Sequence, residues 1–225
     1  MSLRRLMCFQ SVRFSILTLG VTVLVCGCRS LPDIQLGECQ KLSFDEFAEN
    51  FQFDIPELLW YRYSLHWKDK NLIFSGITQK TDNGWINVAG LSDSGLTVFS
   101  ARWRDGRFEI LKNNAKMPDT FLERSILNDL LLLYRRLPAK EDCIRQNIAD
   151  GSLWLKTEND WSGRKGCFVL IDNQPAWSGL IKGKIHFKAV VSTRDGNIPV
   201  GITIENYKEG YGAEIRYSDE SQVVK

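Results

Sequence analysis

The chain has 225 residues, 44% of them apolar, 11% aromatic and 25% charged, with a formal net charge of +2. This is the balance of a folded domain and excludes a disordered tail. Three arginines within the first 27 residues account for the whole positive surplus. What remains has no basic excess of the kind a nucleic-acid partner requires, so none is expected.

Arg4, Arg5 and Arg13, with no acidic residue near them, precede an apolar run from Phe14 to Cys26. A basic start, a short apolar stretch and small residues at its end have the form of a signal peptide over residues 1–27. The run closes on LVCGC, Leu24 to Cys28. Cys28 follows the small residue Gly27, which is the order that directs a diacylglyceryl group onto a cysteine, whereas Cys26 follows the bulkier Val25. Cys28 is therefore the expected lipidation site, and lipid in a membrane the expected first partner. An uncleaved anchor or an unlipidated secretory peptide stays open beside this reading. Arg29 stands next to the cysteine in place of Asp, which resembles the signal for onward transfer to an outer membrane.

Residues 28–42, with Pro32 and Gly37 and little periodicity, suit a lipidated N-terminus and tether, leaving 43–225 as a single domain. Ser43 followed by Glu46 has the spacing of a capping box and predicts a short helix over LSFDEFAENF, Leu42 to Phe51. The period then changes to two. In LWYRYSLHW, Leu59, Tyr61, Tyr63, Leu65 and Trp67 alternate with Trp60, Arg62, Ser64 and His66, as in a half-buried strand. NLIFSGIT (71–78), WINVAGL (85–91), GLTVFSARW (95–103) and RFEIL (107–111) continue the pattern. Short turn-rich separators make these an antiparallel meander, and no crossover helix interrupts them.

Pro118 to Pro138 reads as one amphipathic helix, with Leu122, Ile126, Leu130, Leu133 and Leu137 on its apolar stripe. Glu123, Arg124, Asn128 and Asp129 are expected on its wet side. A second short helical stretch is expected around Glu141 to Ala149. Strands return in KGKIHFKAVV, where Ile185, Phe187 and Ala189 share a face, in NIPVGITIENY through Ile198, Val200, Ile202 and Ile204, and in YGAEIRY. Roughly ten such strands form a large sheet whose greasy side needs a cover.

No nucleophile, zinc or phosphate-loop motif is present, and His66 and His186 fall on the polar side of their strands. The chain is expected to be no enzyme and to need no metal or cofactor. Cys39, Cys143 and Cys167 are an odd set for an oxidising compartment, consistent with one disulfide and one buried thiol, and three pairings stay open.

The order of signal cysteine, antiparallel strands, apolar helical insert and further strands resembles the LolA/LolB group of proteins. VAGLSDSGLTVFSARWRDGRFE (88–109), LERSILNDLLLLYRRLP (122–138) and ITIENYKEGYGAEIRYSD (202–219) are similar to a family of uncharacterised outer-membrane lipoproteins often encoded beside aryl polyene (fatty-acid-type) biosynthesis enzymes. The resemblance implies a mainly β (α+β) fold, a large curved antiparallel sheet forming an open, LolB-like half-barrel with a helical lid. It also implies an outer-membrane, periplasm-facing protein that binds an acyl chain or other lipid-like cargo and works with envelope transport proteins. The cavity would be lined by Leu65, Trp67, Phe74, Val88, Val98, Ile185, Phe187, Ile202 and Ile215 and covered by Ile126, Leu130 and Leu133. A filled core, and with it a structural or adaptor lipoprotein docking onto an envelope complex, is the rival expectation. The chain departs from LolB-type receptors at Asp93, Ser94 and Gly95, where relatives tend to carry a Pro-Leu-Gly apolar tip.

Overall fold

The computed structural model describes residues 33–40, 43–138, 143–160, 165–195 and 197–218. Residues 1–27 and Cys28 lie outside them. Thirteen strands follow one another: β1 (Leu36–Cys39), β2 (Leu58–Trp67), β3 (Lys70–Lys80), β4 (Ile86–Leu91), β5 (Thr97–Arg104), β6 (Arg107–Asn113), β7 (Ile144–Asn147), β8 (Leu153–Asp160), β9 (Lys165–Ile171), β10 (Gln174–Ile181), β11 (Lys184–Asp195), β12 (Ile198–Asn206) and β13 (Tyr211–Ser218). They form a single antiparallel sheet in the order β1-β7-β8-β9-β10-β11-β12-β13-β2-β3-β4-β5-β6. The sheet is open, because β1 and β6 end it without pairing to each other. All but two neighbouring pairs are consecutive in sequence, which is what short hairpin connections impose.

Several of those connections carry the chemistry of their turn. Asp105-Gly106 and Lys182-Gly183 are two-residue loops with positive φ at both positions, 49° and 82° in the first, 51° and 78° in the second. That pair of angles gives a turn whose twist matches the flanking strands, and glycine takes the second position without strain.

Alternation divides the sheet into two faces. Along β9, Phe168 and Leu170 join the main core, while Cys167, Val169 and Ile171 join a second cluster with Trp154, Ala176 and Leu180. The main core fills the concave side and includes Tyr61, Tyr63 and Leu65 of β2 with Ala213, Ile215 and Tyr217 of β13. The convex cluster is covered by Ile34 and Leu36, and an ion pair between Asp33 and Lys184 at 3.7 Å sits beside it. Residues 36–39, read from the sequence as tether, are thus an edge strand paired with β7. A disulfide between Cys39 and Cys143 closes the same edge, and Cys167 is a buried free thiol.

Two glycines admit aromatic rings against the concave backbone. A Cβ on Gly76 would lie 2.1 Å from the Ala89 carbonyl and 2.4 Å from the Tyr61 hydroxyl. One on Gly90 would lie 2.3 Å from the Phe99 ring. Each ring covers a glycine on a neighbouring strand, and the close approach lets the sheet curl inward.

Helix α1 (Phe44–Glu49) begins with the capping box read from the sequence: the Glu46 amide donates to Ser43 Oγ at 3.2 Å and the Ser43 amide to Glu46 Oε2 at 3.1 Å. The expected helix over 118–138 is broken up. It runs as α2 (Asp119–Phe121), a π-helical turn (Leu122–Leu127), α3 (Asn128–Leu130) and a 3₁₀ turn (Leu132–Tyr134), and is extended from Arg135. Residues 125–134 are buried without exception, so the segment's exposed residues are confined to its ends, at 118–120, Glu123, Arg124 and Arg136. Surrounded by sheet, it adjusts its winding to side-chain partners, and the wider i→i+5 turn brings Ser125, Asn128 and Asp129 inward.

The helical stretch expected near Glu141 to Ala149 is instead strand β7, flanked by β1 and β8. Pairing on both sides overrides a weak local preference.

Candidate functional site

The half-barrel holds its own plug. Leu122, Ile126, Leu127, Leu130, Leu131 and Leu132 have no exposed surface, and Leu133 retains 5%. Against them lie Leu65, Phe74, Val88, Phe187, Ile202 and Ile215, all buried. The residues expected to line a cavity under the helix therefore meet as a continuous packed core. Val98 packs at its margin, and Trp67, 36% exposed, stacks obliquely on Phe121 with ring centres 6.1 Å apart. Ile185 is on the other face. The β10–β11 register shifts between Gly179 and Leu180, whose partners are Phe187 and Ile185, so one extra residue of β11 reverses the alternation and turns Ile185 into the convex cluster.

The plug is pinned by polar groups. Asp129, 1% exposed, accepts hydrogen bonds at Oδ2 from the hydroxyls of Tyr63 and Tyr211, both at 2.9 Å. Asn128 takes a hydrogen bond from the Arg135 guanidinium, and the Tyr134 hydroxyl pairs with Thr78 at 2.6 Å. Burial holds the Tyr63 hydroxyl well above its ordinary pKa, with Asp129 adding to the effect. Burial also brings the Arg135 guanidinium down to about 10, which leaves it charged at neutral pH.

Where the plug leaves the half-barrel, a cleft of about 1160 Å³ opens to solvent. Its volume is on the scale of small-molecule sites, roughly 300–1,000 Å³. One wall is α1 and the chain after it, through Phe44, Phe51, Phe53 and Ile55. The β3–β4 and β5–β6 ends also line it, with Lys80, Trp85 and Trp103, as do residues 133–138. Phe51 packs edge-on against Phe168 at 5.1 Å, and Arg194 lies 5.1 Å over the Phe53 ring while its guanidinium donates to the Asn50 carbonyl. These contacts hold the α1 wall to β9 and β11.

Of the twelve lining residues expected from alternation, Leu133 alone borders this cleft. The others, expected on the concave side, meet a side that is filled, or in the case of Ile185 lie on the opposite face. The aromatic set at 44–53 carried a signal: Phe44, Phe47, Phe51 and Phe53 crowd a stretch too short to bury them by itself. Lys80 and Arg135 carried none, since each looks like an ordinary terminal cation. His66 is exposed and its Nδ1 lies 2.8 Å from Asn71 Oδ1, while His186 is half-buried. At the β4–β5 turn Leu96 is 71% exposed.

No family model matches the chain, and no curated protein matches it in sequence. Among solved structures, a LolA superfamily protein from Nitrosomonas europaea superposes with a TM-score of 0.50 and 11% identity, over 79% of this chain and 92% of that one. The fold is LolA-like. A DUF1329 family protein from Desulfovibrio piger (TM-score 0.42, 11% identity, 78% and 89% covered) and a candidate outer membrane lipoprotein-sorting protein domain from Vibrio parahaemolyticus (0.42, 7%, 77% and 89%) are also similar. The LolA-like half-barrel accounts for the open sheet and the helical segment on its concave side.

Proposed function

We propose that this chain is an outer-membrane lipoprotein, anchored through Cys28 and facing the periplasm, that holds an acyl chain or similar lipid-like cargo and assists its placement in the outer membrane. The aromatic cleft at the mouth of the LolA-like half-barrel carries this reading, because it offers apolar surface to a ligand where the concave face itself does not. The reading is of a carrier, without catalysis, handing cargo to envelope transport proteins. A kinship with the lipoproteins encoded beside aryl polyene enzymes suits it, since those pathways make acyl-like chains.

One observation favours a second reading, an adaptor docking onto an envelope complex: the plug leaves the concave core filled. Native mass spectrometry of protein purified from its own membranes separates the two. Co-purifying lipid beyond the N-terminal anchor is the expected result, and a mass accounted for by the anchored chain alone would leave the adaptor.

A further inference from the structure

Among the described residues, the charges around the cleft are mostly basic. Lys80, Arg135 and Arg136 line it, against Asp105 as the acidic member. Asp105 is itself 3.8 Å from Arg104 and its side chain is 92% exposed, so it does little to neutralise Lys80 and Arg136, while Arg135 is already engaged with Asn128. Lys80 is half-buried; its ammonium donates to the Ile55 carbonyl at 2.8 Å and lies 5.8 Å from the Tyr134 ring centre, and it makes no ion pair among the described residues. Two of its three N–H donors are left over. Arg136 is exposed and makes neither ion pair nor hydrogen bond among the described residues. Apolar surface shares the cleft with these cations, through Phe51, Trp103 and Leu137.

A trough with aromatic walls, edged by Lys80 and Arg136 with no ion pair to either among the described residues, is complementary to an amphiphile with a negative head. Resting on the acyl-carrier reading, we infer that the cleft takes a single-chain lipid ending in a carboxylate. The chain lies along the aromatic walls, and the carboxylate meets Lys80 and Arg136. A carboxylate fits better than a phosphate. Phosphate sites commonly add a cradle of open backbone amides, and the helix end nearest the cleft, at Phe44, is closed by the Ser43–Glu46 capping box. A guanidinium and an ammonium instead supply charged side-chain donors suited to a carboxylate.

The test uses the purified full-length chain in detergent and the fluorescent fatty acid cis-parinaric acid beside its methyl ester. The acid is expected to bind roughly tenfold more tightly than the ester, a ratio that measures the head-group contact alone. Rising salt should narrow the difference. In Lys80→Gln/Arg136→Gln the acid should weaken to the level of the ester, with ester binding unchanged as proof that the cleft is intact. Equal binding of acid and ester by the wild type would overturn the carboxylate inference while leaving the acyl-carrier reading in place. Failure of both probes to bind would remove the carrier reading and this inference with it. Displacement of the probe by dodecyl phosphate at lower concentration than by dodecanoate would overturn the choice of carboxylate.

Discussion

Asp129 and Tyr63 are joined by a 2.9 Å hydrogen bond in the interior, where a carboxylate from the plug meets a hydroxyl from the sheet. The bond ties two elements 66 residues apart, and neither group has solvent to fall back on. Tyr63→Phe should cost about 1–3 kcal/mol, the usual penalty for removing one partner of a buried polar pair. Urea titration checks this.

The tyrosines around this bond also set an alkaline limit. Burial raises the hydroxyls of Tyr61, Tyr63, Tyr211 and Tyr217 well above the ordinary value of 10.0. Above that value the unfolded chain gives up phenol protons that the folded chain keeps, so the native state binds more protons and stability falls as pH rises. Below it the two states bind equally and these groups confer no pH dependence. Each such tyrosine should remove about 1.4 kcal/mol per pH unit past 10. Phenolate absorbance should rise together with the loss of circular dichroism; titration of all six tyrosines in the folded protein would contradict it.

Leu130, the last residue of α3, and Leu133, in the 3₁₀ turn that follows, should respond differently to truncation. Leu130 is wholly enclosed, so Leu130→Ala should cost about 2–5 kcal/mol and leave probe binding unchanged. Leu133 borders the cleft, where its loss opens onto space already present. Leu133→Ala should cost less and weaken cis-parinaric acid. Equal stability losses with no change in binding would separate the cleft from any acyl ligand.

The Cys39–Cys143 disulfide spans 104 residues and clamps a four-residue edge strand that holds little apolar surface of its own. Reduction should cost about 2–5 kcal/mol, within the range for a native bridge closing a long loop. Cys167 should stay silent to Ellman's reagent in the native protein, because burial pushes its thiol up to about 12 and excludes the reagent. One thiol should react on unfolding without reductant in protein whose Cys28 carries lipid and which has lost residues 1–27.

Cys28 is the expected anchor, and Cys28→Ser should abolish labelling by palmitate and leave the precursor insensitive to globomycin. Labelling at the wild-type level would move the anchor elsewhere.

Strand identity was legible from β2 to β6 and from β11 to β13, though not at β1 or β7, because alternation is a local property: Tyr61, Tyr63 and Leu65 face one way on any sheet that buries them. The capping box at Ser43 and the turn at Asp105-Gly106 were legible for the same reason, each being complete within a few residues, whereas Lys182-Gly183 fell within a segment expected to be strand. The LolA-like architecture could be expected from the order of elements. What occupies the concave side could not. Asp129 looks solvated on a 3.6-residue wheel, and becomes buried because Tyr63 and Tyr211, distant in sequence, supply the partners that make burial tolerable, while Asn128 beside it is partnered by Arg135. Ile185 changed face through one extra residue in β11, a matter of register with β10 that only the pairing decides. The cleft likewise arises where α1, two hairpin ends and the exit of the plug come together, and no single one of those segments contains it.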